Sequence, residues 1–354
     1  MWSFQQNLKA LKSKIKKWNK EEFGNIFKEK NRLEICLQEI QSIGFNEGYS
    51  LALLEEERLV EKQLDEREKQ EELLWLQKSR IKWLCEGEKN SKFFHHSVIQ
   101  SRFQNKFYSL KDEARNLLEG REEIEDLLNS HFSDILSDPL RDRSSDIEII
   151  TSQIPSFVSR QQNQMLMNSI SLQEVQEVVF QMKEGTSHGP DGFTVNFFHH
   201  FWEMIKIDVW NIVEQSCVFG RILPALNAIF LTLIPKNEGV DLPNKFHPIS
   251  LCNVIYKIIT KVMANRLKLI LASLISSEQS GFVEERQISD GIILVHEILH
   301  SIKLKKISGM LVKLDIAKAY DKLNWQFIKK MLVAFGFSMA WVNWIMNLIS
   351  SVFF

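Results

Sequence analysis

Apolar positions along this chain recur first with a helical period and later with a mixture of helical and strand periods. Through residues 4–42 and 48–84, leucine and isoleucine return every three or four positions among charged neighbours. Leu8, Leu11 and Ile15, then Leu51, Leu54, Leu59 and Leu64, mark two long amphipathic helices. The segment Ser42 to Gly48 carries two glycines and separates them, so residues 1–84 predict an antiparallel helical hairpin. A partner-binding coiled coil is the sharper alternative. Residues 107–110 and 116–118 predict a short strand pair, and residues 121–137 a helix. The polar stretch 138–165, with Pro139 and Pro155, reads as a linker.

Beyond it, Val175, Val178, Val179 and Met182 mark a helix after Ser171, and Gly189-Pro190-Asp191-Gly192 marks a tight turn. A helix over 197–219 follows, then a strand Ala228–Ile234, a loop from Pro235 to Gly239, a short strand Pro248–Leu251 and a basic amphipathic helix over 253–273. Met310 to Ile316 reads as a buried strand, and Leu323, Phe327, Met331 and Phe335 as the apolar face of a helix capped by Asp321. Helix dominates and strands are few and short, which predicts a helix-rich α+β protein.

Composition narrows the classes. The chain has 354 residues with a formal net charge of −1, and 44% are hydrophobic, enough for one or two cored domains. No run of about 18 apolar residues exists, and Met1 to Gln6 lacks a signal peptide's apolar core. An intracellular protein of nucleus or cytoplasm, away from the membrane, is therefore expected. Cys36, Cys85, Cys217 and Cys252 have no paired spacing, so neither a zinc knuckle nor a disulfide framework is predicted.

Charge is patchy despite the neutral total. Residues 85–111 interleave Lys89, Lys92, Arg102 and Lys106 with Phe93, Phe94, Phe103, Phe107 and Tyr108. That combination suits phosphate neutralisation with base stacking, and it equally suits an amphipathic helix with a buried aromatic face. Asp315 ends a buried apolar run, where an ionised carboxylate needs a positive partner, and a metal ion is the economical one. Lys236, His247, Arg266 and Arg286 precede it, cations of the kind a triphosphate site requires. No Walker-type loop is present. His296-Glu297-Ile298-Leu299-His300 matches the two-histidine signature of zinc hydrolases, a further reading that needs a third ligand.

Taken in order, the motifs resemble the reverse transcriptases of plant non-LTR (LINE-type) retrotransposons. The runs are Gly87 to His95, Gly189 to Phe193, Leu233-Ile234-Pro235-Lys236, Pro248 to Lys257, Ala264 to Lys268, Gln279 to Phe282, and Asp315-Ile316-Ala317-Lys318-Ala319-Tyr320-Asp321. The resemblance implies a partial right-hand polymerase over 166–354, with fingers to about residue 305 and then the start of the palm. Residues 1–84 would be a helical linker and 85–137 a basic-aromatic segment. Asp315 would be a catalytic carboxylate and, with the Ile316 carbonyl, a ligand of Mg²⁺. Lys236 and His247 would face the incoming nucleotide's phosphates, and Tyr320 its sugar. RNA template, DNA primer and deoxynucleoside triphosphates would be the partners. A nucleic-acid-binding remnant without catalysis is the alternative.

The family carries arginine where this chain has His247, between Phe246 and Pro248. Its remaining metal carboxylates would fall beyond Phe354. On that ground the chain by itself is expected not to polymerise.

Overall fold

The structure, a computed structural model, describes residues 1–79, 91–104, 108–137, 143–237, 239–276, 279, 283, 286–310, 312 and 323–352. The chain divides into two compact units. One holds Gln5–Leu117 and Leu233–His247; the other holds Met1–Phe4, Leu118–Thr232 and Pro248–Phe354.

The first unit is built on helices. Helix α1 (Trp2–Trp18) ends in a π-helical turn over Asn19–Phe23, and Gly24 at φ 74° breaks the helix predicted to run on to residue 42. Asn25 restarts it, its side chain accepting from the Phe27 and Lys28 amides. Helices α2 (Ile26–Glu47) and α3 (Leu51–Ser79) then pack as the expected hairpin, turning at residues 48–50. Leu33, Ile40 and Val60 form its buried seam, with Cys36, Leu37, Leu53 and Leu64 against them. Lys30 crosses the pair to Glu71 at 3.0 Å, and Gln41 to Glu57 at 3.1 Å. Helix α4 (Ser91–Gln104) packs on α3, with Phe94 and Val98 buried and His95 edge-on to Trp75 at 4.4 Å. A two-stranded pair, β1 (Leu110–Lys111) and β2 (Leu117–Leu118), comes next.

The second unit is an α-helical core. It contains α5 (Arg121–Leu136), α6 (Ser144–Ser152), α7 (Arg160–Leu166), α8 (Leu172–Phe180), α9 (Val195–His200) and α10 (Trp202–Phe219). Ser171 caps α8 by accepting from the Glu174 amide, as its position predicts. The helix expected over 197–219 is two helices broken at Phe201. Strands β3 (Ile229–Pro235) and β4 (Phe246–Cys252) form a hairpin whose tip, Leu233–His247, belongs to the first unit. Helices α11 (Val254–Leu274), α12 (Ile288–Lys305), α13 (Trp325–Ala334) and α14 (Met339–Ser350) complete the unit.

Its core lies where α8, α10 and α11 meet. Val175, Val179, Val209, Val213, Ile255, Ile258 and Val262 are buried there, and Trp341 and Trp344 of α14 are fully enclosed. Ser216 accepts the Trp344 indole N–H at 3.0 Å. The stretch 138–165 carries α6, which packs on α13, and then a strap pinned to the α13–α14 corner. Phe157 and Val158 amides both donate to the Phe335 carbonyl, and Asn163 brackets Gly336 and Ser338 with two bonds of 2.7 Å.

Two local expectations need correcting. The cap of α13 is Asn324, which accepts from the Phe327 amide, and not Asp321. Of the apolar run expected as a buried strand, the described Met310 and Val312 are 88% and 65% exposed. The rest of that run, Leu311 and Lys313 to Ile316, lies outside the described residues.

Candidate nucleotide and nucleic-acid interface

The β3–β4 hairpin is the element that presents the predicted phosphate-facing residues. Its register is fixed by one bond, the Lys236 amide donating to the Lys245 carbonyl at 3.0 Å. Two residues further from the tip along each strand, Ile234 stands opposite His247. Lys236, Ile234 and His247 therefore share a face, with Lys236 and His247 diagonal neighbours at about 7–8 Å in such a ladder. All three are exposed. The Lys236 ammonium bends back to the Asn244 carbonyl at 3.2 Å, so it hovers over the tip. The hairpin thus brings Lys236 and His247 onto one open face.

The loop at the tip is anchored from β1. The Lys111 amide donates to the Asp241 carbonyl at 2.7 Å, and its ammonium reaches the Asp241 carboxylate at 2.8 Å. Lys245 reaches the other carboxylate oxygen at 3.3 Å. Hydrogen bonds from Lys111 first and Lys245 second hold the Asp241 carboxyl down at about 2. Sequence reasoning missed this cluster. Lys111 and Asp241 are 130 residues apart, and no local pattern ties them.

The glycine-rich turn of the second unit is seated on the start of α11. Gly192 donates to the Gly189 carbonyl at 3.1 Å, closing the turn. Asn253 is fully buried behind it. Its amide oxygen accepts from the Asp191 N–H at 3.1 Å, and its NH₂ donates to the Ala225 and Leu226 carbonyls at 3.2 Å each. Gly189 is required because a β-carbon there would overlap the backbone and side-chain oxygen of Asn253. Lys257 adds a bond to the Ser187 carbonyl at 3.4 Å. The sequence marks the turn; the Asn253 clasp is a tertiary feature.

Two predicted cations are structural. Arg266 is 8% exposed and spends its guanidinium on Glu174 and on the Leu166, Asn168 and Ser169 carbonyls. Arg286 donates to the Ile275, Ser276 and Gln279 carbonyls just past the end of α11. Both satisfy carbonyls at helix ends or in loops, the Ser276 carbonyl accepting from the Gln279 amide as well. His296 and His300 are exposed on α12, and among the described residues no three histidine, cysteine or acidic side chains are grouped to hold a metal. The zinc-hydrolase reading is not favoured.

The basic-aromatic segment divides. Phe94 is core, whereas Phe103 and Tyr108 are exposed and lie 5.5 Å apart. Lys92 and Arg102 lie in α4, their side chains outside the described residues; Lys89 and Lys106 also lie outside them. So do Asp315, Ile316, Tyr320 and Asp321. No helix among the described residues is long and apolar enough to cross a membrane.

Comparison with known proteins gives one family match and several relatives. Residues 234–353 match the family of reverse transcriptases (RNA-dependent DNA polymerase). The chain is 28% identical over 275 residues to the uncharacterized 149 kDa protein of transposon TX1 from Xenopus laevis, covering 77% of this chain and 21% of that one. It is 24% identical over 206 residues to the retrovirus-related Pol polyprotein of the type-2 retrotransposable element R2DM from Drosophila melanogaster, covering 56% and 19%. A third relative, the Pol polyprotein of the type-1 retrotransposable element R2 from Nasonia vitripennis, is 27% identical over 169 residues, 47% of this chain and 16% of its own length. The chain spans about a fifth of the length of the relatives it matches. Its likeness is to the reverse transcriptases of non-LTR retrotransposable elements, and the matched range takes in Lys236, His247 and Asp315.

Proposed function

We propose that this chain is part of an RNA-directed DNA polymerase of a non-LTR retrotransposon. In this reading residues 166–305 are the fingers, the segment from Met310 opens the palm, and residues 1–84 are a helical linker. The observation that carries it is the match of residues 234–353 to reverse transcriptases, which begins on β3, the strand that leads into Lys236. Lys236 neutralises phosphate charge on the incoming deoxynucleoside triphosphate, and His247, beside it on the same open face, adds a single-donor contact. Tyr320 bounds the sugar. The basic residues Lys89, Lys92, Arg102 and Lys106 hold the RNA template and DNA primer by their phosphates.

Asp315 and the Ile316 carbonyl are hard oxygen donors, a set that suits Mg²⁺. Bound there, Mg²⁺ would supply the positive charge that makes the primer 3′-hydroxyl a better nucleophile and neutralises the leaving pyrophosphate.

The test is RNA-templated primer extension with Mg²⁺ and the four deoxynucleoside triphosphates, on this chain and on any longer reading frame that contains it. Incorporation that Asp315→Asn abolishes supports the reading. Incorporation that survives Asp315→Asn, or none in the longer frame, refutes it.

A further inference from the structure

We infer that Lys111, Asp241 and Lys245 form a self-masked phosphate clasp for the backbone of a single-stranded nucleic acid, with Phe103 and Tyr108 stacking its bases. All five residues belong to one unit. The two ammonium groups converge on separate oxygens of one carboxylate, at 2.8 Å and 3.3 Å. Two cations converging on a pair of anionic oxygens also describes how lysines grip the non-bridging oxygens of a phosphodiester. Asp241 occupies that place in the free protein and leaves the trio with a net positive charge.

The exchange is easy for two reasons. The side chains of Lys111, Asp241 and Lys245 are 40%, 37% and 49% exposed, and ion pairs that open to solvent contribute little. The loop does not depend on the carboxylate either, since the Lys111 amide holds the Asp241 carbonyl independently. A phosphate that takes over the lysines gains counterion release, which a carboxylate already in place does not. The neighbouring Asp112 carboxylate does not compete, because both its oxygens accept from Asn116.

The aromatic half makes the ligand a strand and not a lone phosphate. Phe103 is 67% exposed and Tyr108 54%, with ring centroids 5.5 Å apart, and Tyr108 stands three residues before Lys111 in the chain. Exposed rings beside a cationic track are the elements of sequence-tolerant single-strand binding. The clasp uses neither Lys236 nor His247, so it adds a strand contact separate from the proposed triphosphate contacts.

Fluorescence anisotropy of the full chain with a labelled twelve-nucleotide oligouridylate, titrated with salt, tests this. Asp241→Asn removes the competing carboxylate and should tighten binding about two- to fivefold. Lys245→Gln should weaken it and lower the slope of log affinity against log salt by about 0.7, the contribution of one phosphate contact on a single strand. Phe103→Ala should weaken binding roughly fivefold or more and leave that slope unchanged. Lys245 stands outside both sheets, so its variant is informative even where Lys111→Gln disturbs β1. The inference is overturned if Asp241→Asn weakens binding or leaves it unchanged, or if the salt slope ignores Lys245. It is also overturned if free deoxynucleoside triphosphate displaces the label as well as unlabelled strand does. Binding is read without polymerisation, so failure here and failure in primer extension are told apart.

Discussion

Arg266 and Glu174 meet fork to fork, Nε to Oε1 and Nη2 to Oε2, each at 2.8 Å, joining α11 to the first turn of α8. The same guanidinium donates to three backbone carbonyls at the end of α7, so one side chain ties three segments. Breaking a buried pair on one side typically costs about 3–5 kcal/mol. Glu174 is a quarter exposed, which puts Arg266→Ala near the lower end, about 3 kcal/mol. Arg266→Lys should recover less than half of the loss, because one ammonium cannot span five acceptors. Urea denaturation midpoints decide it, and a full rescue by lysine would count against the fork.

Gly336 sits at φ 91° at the corner between α13 and α14, and a β-carbon there would overlap the Ser156 hydroxyl. Gly336→Ala should therefore lose about 2–4 kcal/mol from conformational strain and overpacking together. Adding Ser156→Ala relieves the overlap and leaves the strain, so the double variant should regain part of the stability. Equal stability of single and double variants would show that the overlap is absorbed by movement.

Asn253→Ala removes the clasp on the Gly189–Gly192 turn and strands the buried Leu226 carbonyl, while the Ala225 carbonyl loses a part-buried partner. A loss of about 2–3 kcal/mol is expected, with faster amide exchange at Asp191. Unchanged exchange there would mean that the turn holds itself.

The Tyr256 hydroxyl donates to the Leu348 carbonyl at 3.0 Å, and burial, with a smaller push from Cys252, raises it to about 12. The fold favours the neutral phenol. Its contribution is therefore complete below the ordinary tyrosine value near 10 and is lost as pH climbs through about 12. Ultraviolet titration of the four tyrosines should show one late ionisation that Tyr256→Phe removes. A titration with no late step would contradict the burial.

His247→Arg tests the triphosphate reading. A guanidinium fork would add charge-assisted bonds of about 1.5–3 kcal/mol each to phosphate. The KM for deoxynucleotides in primer extension should fall tenfold or more. An unchanged KM would place His247 away from the phosphates.

Much of this protein is written locally in its sequence. Ser171 with Val175, Val178 and Val179 specifies α8, and the runs Ala228–Ile234 and Pro248–Leu251 mark two strands, whose pairing as a hairpin the structure supplies. The helical hairpin is legible from leucine spacing and the glycine-bearing turn, whereas the break at Gly24 is not. Each of these rests on neighbours within a few positions, where period, cap and turn chemistry act. The ordered motifs carry the likeness to reverse transcriptases for the same reason, being short contiguous runs. What only the tertiary structure decided involves partners far apart in the chain. Arg266 and Arg286 read as free cations until the carbonyls they satisfy are placed beside them. The Asn253 clasp, the strap on Gly336 and the Lys111–Asp241–Lys245 trio have no sequence period, because their geometry exists only after distant segments have packed.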